Sequence, residues 1–101
     1  MIVTFPDERL ARLFTDGEGS EAYPESVVSA FLRRVRCLEA AADERVLRAL
    51  KSLHFEAMRD RGHRGKHSLR LNDQWRLVVA ISGQGAEKTV AIHEITNHYG
   101  D

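Results

Sequence analysis

Ser68-Leu69-Arg70-Leu71-Asn72-Asp73-Gln74-Trp75-Arg76-Leu77-Val78-Val79-Ala80-Ile81 reads as one β-hairpin. Leu69 and Leu71 alternate with Ser68 and Arg70, the period-two pattern of a half-buried strand. Asn72-Asp73 is a turn signal, because both side chains bond readily to nearby backbone. Trp75 to Ile81 is rich in aromatic and β-branched residues and predicts a central strand. Downstream, Ser82-Gly83-Gln84-Gly85 reads as a loop. Thr89 to Thr96 alternates again, with Val90, Ile92 and Glu94 set against Ala91, His93 and Ile95, and predicts the last strand. Upstream, residues 59–66 form a basic loop with Gly62 and Gly65, and Leu53-His54-Phe55 predicts a short strand.

The first half has a different period. Met1 to Phe5 reads as a short strand. Pro6-Asp7-Glu8 then opens a helix carrying Leu10, Leu13 and Phe14, and Asp16-Gly17 ends it. Pro24 starts a second helix, whose apolar face is Val27, Val28, Phe31, Leu32, Val35 and Leu38. Arg33, Arg34, Arg36 and Cys37 fall outside that stripe. Ala40 to Asp43 either closes this helix or passes into a further turn with Val46, Leu47 and Leu50. Helices followed by a run of hairpin-connected strands imply an α+β fold. The expectation is one domain over residues 1–101, with two N-terminal helices packed on a small, mainly antiparallel β-sheet.

Composition narrows the function classes. A 101-residue chain with 43% hydrophobic and 30% charged residues can bury one modest core. The longest apolar run, Leu77 to Ile81, is too short to span a bilayer, so no membrane partner is expected. Neither is a signal peptide, given the N-terminal residues. The single cysteine, Cys37, excludes an internal disulfide framework and a Cys-based zinc site. Together these predict a cytoplasmic protein. His63 and His67 have helical metal-ligand spacing but sit in or beside a glycine-interrupted loop, and no metal site is expected. The net charge is zero, yet it is uneven. Residues 59–76 carry six Lys or Arg against only Asp60 and Asp73. Such a local field suits capture of a polyanion.

Several segments resemble one family. Ser52-Leu53-His54-Phe55-Glu56, the basic loop and Ser68 to Leu77 are similar to the HigB group of toxins. These are also called plasmid maintenance killer proteins and belong to the RelE/ParE superfamily. Met1 to Phe5 and Leu13-Phe14-Thr15-Asp16-Gly17 resemble the family's start. The resemblance implies a type II toxin with a small sheet flanked by helices. It implies a ribosome-dependent endoribonuclease that cuts mRNA in the decoding site without metal or organic cofactor. It also implies a cognate helix-turn-helix antitoxin, and contact with operator DNA only through that antitoxin.

The resemblance carries over to particular residues. Arg76 matches the family's arginine after the tryptophan and would clamp the scissile phosphate with its planar fork. His54 matches the family's histidine and has a side chain suited to proton transfer. Arg59, Arg61, Arg64, Lys66 and Arg70 would hold RNA backbone. The loop is about one residue longer than usual, and Ala57 stands where the family has lysine. The family's Asp-Tyr-His ending is here Asn97-His98-Tyr99, with Tyr and His exchanged. His98 is the candidate acid or base, Tyr99 a stacking group or proton donor, and Asn97 can orient but not charge-stabilise a histidine. Two alternatives follow from these departures. One is a non-nuclease toxin that binds DNA gyrase, and the other a degenerate toxin acting only in antitoxin binding and operon autoregulation.

Overall fold

The computed structural model describes residues 1–97. Its elements are β1 (Ile2–Thr4), α1 (Glu8–Asp16), α2 (Glu25–Ala40), α3 (Glu44–Ala49), β2 (Glu56–Ala57), β3 (His67–Arg70), β4 (Arg76–Ser82) and β5 (Thr89–Thr96). They build a five-stranded sheet in the order β1-β5-β4-β3-β2. β1 runs parallel to β5, and the other three pairings are antiparallel. The expected α+β architecture is therefore present, extended by a third short helix.

Local chemistry explains where the elements start and stop. The Asp7 carboxylate accepts a 2.9 Å bond from the Arg9 backbone N–H and caps α1. Gly17 closes α1 at φ 71°, a left-handed conformation that glycine adopts without steric cost. Asp43 caps α3 in the same way, accepting from the Arg45 N–H. Bonds from the Arg45 side chain and backbone hold the Asp43 carboxyl down to about 2. Glu44 and Lys88, 2.9 Å apart, tie α3 to the start of β5. In the β3–β4 turn, Asn72 Oδ1 accepts from the N–H groups of Gln74 and Trp75. Trp75 meets the edge of Tyr23 at 5.8 Å and so holds the hairpin against the chain entering α2.

The helices cover one face of the sheet. Val27, Phe31, Val35 and Leu38 of α2 pack with Leu69, Leu77, Val79, Val90 and Ile92, all fully buried or nearly so. The other face carries the alternate residues Ser68, Arg70, Arg76 and Val78. Two sequence expectations change. Leu53-His54-Phe55 is not a strand. A 3-10 turn over Lys51–Leu53 ends at His54, which has φ 46°, and pairing begins only at Glu56. The alternation of β5 also breaks. A bulge opposite Val78 and Val79 pairs Ile92 with Val79 but Glu94 with Val78. Glu94 thus moves to the face opposite Ile92, because one extra residue inverts every side chain beyond it.

Candidate active face

The polar site lies on the face of the sheet away from the helices, and Arg76 is its centre. In register, Arg76 stands between Arg70 of β3 and Thr96 of β5. Arg76 is only 6% exposed, a burial that a guanidinium tolerates when its donors are engaged. Its Nε donates to Ser68 Oγ at 2.8 Å, and its Nη2 donates to the carbonyls of Ser68 and His54. The Glu56 carboxylate stands 3.8 Å away at the exposed rim. The sequence reading placed Arg76 mid-strand as a clamp. The structure makes it the first residue of β4 and the bolt that joins three segments.

His54 joins this arrangement through its backbone carbonyl. Its side chain is exposed, while its backbone is the only non-glycine at positive φ among the described residues. A left-handed residue with a Cβ costs roughly 1–2 kcal/mol. The Arg76 bond to its carbonyl holds it there. Such strain concentrates where a side chain must be aimed. Ser68 is buried beneath the same guanidinium. Glu56 was not singled out by the sequence. The signal was its position two residues after His54, on a strand that pairs Glu56 with Ser68.

The basic loop folds over this face. Met58 N–H bonds to the Lys66 carbonyl and closes the loop at its base. Arg59, Arg61 and Arg64 are exposed, and Lys66 is partly so. None of these four enters an ion pair among the described residues. Arg70 differs, since it pairs with Asp73 of its own hairpin. His63 projects from the loop to β5, where Glu94 accepts its Nε2 and Asp60 its Nδ1, the latter at 2.6 Å. These two carboxylates push the His63 pKa up. His67 lies apart on the helix face, stacked on Phe55 at 4.6 Å, and burial pushes its pKa down. Asn97 is exposed, one residue beyond β5. His98 and Tyr99 lie outside the described residues.

The described residues thus combine a mixed sheet, three helices and a buried arginine under a cationic loop. A family model described as HigB-like toxin, a RelE-like toxin of the type II toxin–antitoxin system HigB, matches residues 3–93, and the chain belongs to that family. Among solved structures, a YoeB/ParE toxin from Agrobacterium tumefaciens is similar over 98% of this chain and 100% of its own. The TM-score is 0.66 and the identity 17%, a likeness of fold. No curated protein sequence matches. As a type II toxin the protein has an antitoxin partner. Among the described residues no helix is long and apolar enough to cross a membrane.

Proposed function

We propose that this chain is a ribosome-dependent endoribonuclease that cuts mRNA by attack of the ribose 2′-OH. The observation that carries this reading is the meeting of the Arg76 guanidinium with the Glu56 carboxylate and the His54 carbonyl, beside a loop whose four cations enter no ion pair among the described residues. The 2′-oxygen attacks phosphorus as the bond to the 5′-oxygen breaks, leaving a 2′,3′-cyclic phosphate and a 5′-hydroxyl. A base takes the 2′ proton, an acid protonates the leaving oxygen, and a fixed cation offsets the growing phosphoryl charge.

His54 is the base in this reading, since it is exposed and its backbone is tied to Arg76. Arg76 supplies the fixed charge, and its bonds to Ser68 and His54 orient it before substrate arrives. Glu56 occupies the open side of that guanidinium in the free protein and yields it to phosphate. His98 is the acid, and Asn97 and Tyr99 support it. Arg59, Arg61, Arg64, Lys66 and Arg70 hold RNA backbone. The antitoxin is a helix-turn-helix protein, operator DNA is reached only through it, and the site of action is the cytoplasm.

The test is induction of the isolated chain in a bacterium, followed by primer extension on a translated message with and without a translation block. Discrete cuts that disappear under the block support the mechanism. Intact messages sink it. The burial of Arg76 favours one second reading, in which the retained arginine only holds the fold and the chain acts through its antitoxin. Intact messages together with tight antitoxin binding and operon repression would establish that reading. Intact messages with blocked supercoiling would instead point to gyrase.

A further inference from the structure

His63 is held at both ring nitrogens by carboxylates, and this sets its protonation state. A neutral imidazole has one donor and one acceptor, and a carboxylate only accepts. Asp60 and Glu94 can both be satisfied only by an imidazolium. The ring is three-quarters buried, whereas the two carboxylates are about half exposed. Asp60 belongs to the basic loop itself, three residues before His63. Glu94 belongs to β5, and the bulge opposite Val78 and Val79 is what turns it toward the loop. Val78, the cross-strand partner of Glu94, has no exposed surface although it faces away from the helices. The loop therefore crosses β4 above Val78 and is fastened on β5.

We propose that His63 is a positioning residue, whose imidazolium bolts the basic loop across the active face and aligns its cations for RNA backbone. This rests on the reading of that face as an RNA site. Two other charges bear on the bolt. Lys66 of the loop helps to hold the Asp60 carboxyl down, and the His93 pKa on β5 is lowered chiefly by burial, with Lys66 adding to it. The His63 pKa is raised above its ordinary value of 6.5 by the Glu94 and Asp60 bonds. The bolt is therefore complete below 6.5 and is lost as pH rises through the raised value. Above that point one carboxylate loses its donor, and Arg59, Arg61, Arg64 and Lys66 are no longer held in register with Arg76.

NMR of the full chain tests the bolt without reference to catalysis. The His63 imidazole resonances should titrate above 6.5, and the midpoint should fall in Glu94→Gln. Backbone amides of residues 59–66 should become mobile across the same titration. A midpoint at or below 6.5, or one unchanged in Glu94→Gln, overturns the bolt. The RNA role is read with ribosomes carrying a message that is 2′-O-methylated at the decoding site, a complex that can be bound but not cut. Its affinity for the native chain should fall about tenfold as His63 deprotonates, and His63→Gln should bind at the weak level throughout. Affinity that ignores the His63 titration overturns the positioning role. Should the programmed ribosome fail to bind at any pH while His63 titrates as expected, the bolt stands and the RNA reading of this face fails.

Discussion

Leu77 and Val79 of β4 lie on the helix side among Phe31, Val35 and Leu38, with no exposed surface. Arg76 and Val78, alternating with them on the same strand, are nearly as buried on the other side. The first face is covered mainly by apolar side chains. The second is covered by a charged group with its bonds made, and by a loop held through His63. Apolar burial is non-directional and tolerates shifts of packing. Polar burial works only when each donor meets its acceptor, so it fixes the geometry of whatever it touches. The helix face therefore supplies stability, and the opposite face supplies placement.

That contrast can be broken by mutation. Phe31→Ala opens a cavity in the helix face and should cost about 3–5 kcal/mol in urea unfolding, the largest effect expected. Arg76→Ala leaves the buried Ser68 hydroxyl without this donor and frees the part-buried His54 carbonyl, and should cost about 1–3 kcal/mol. It should abolish cleavage, and Arg76→Lys should recover part of the stability but little activity, because ammonium cannot span the same acceptors. If Arg76→Ala folds with native stability, the polar face is not built around it.

Smaller changes sharpen the comparison. His54→Gly should unfold at higher urea than His54→Ala, by about 1 kcal/mol, because alanine keeps the Cβ that disfavours φ 46°. Both should lose cleavage. Equal stability of the two would show that the left-handed turn stores no strain. Asp7→Ala, at the α1 cap, should cost about 1 kcal/mol and leave cleavage unchanged. Bonds from the Arg9 side chain and backbone depress the Asp7 pKa. Its stabilising contribution is therefore present above 3.8 and is lost as pH falls through the lowered value. A pH-stability profile of Asp7→Ala against the native chain reads that loss directly.

The hairpin at 68–81 was legible because its signals are local. Leu69 and Leu71, the Asn72 turn and the run from Trp75 to Ile81 each act within a few residues. The caps at Asp7, Gly17 and Asp43 are equally local, although the sequence left open whether a third helix follows Asp43. Leu53-His54-Phe55 was misread because three apolar or aromatic residues suit a strand, whereas the Arg76 bond to the His54 carbonyl comes from 22 residues away. The bulge was invisible for a related reason. Thr89 to Thr96 alternates without interruption in sequence, and only pairing with β4 shows that Glu94 has changed face.

The candidate site divides along the same line. Sequence resemblance named Arg76, His54 and the loop cations, and it can do so because residue types travel with a motif. It did not name Glu56 or assign His63 to β5, since both depend on which strands become neighbours. By itself the sequence determined the α+β order, the helix caps, the hairpin and the concentration of positive charge in residues 59–76. Periodicity, capping and net charge are properties of short windows. Only the tertiary structure decided that Arg76 is buried, that His54 is held at positive φ, and that the basic loop is fastened to the last strand. Burial, and bonding between residues 22 and 31 positions apart, come from register and from one bulge, and neither is encoded in any window that contains only one partner.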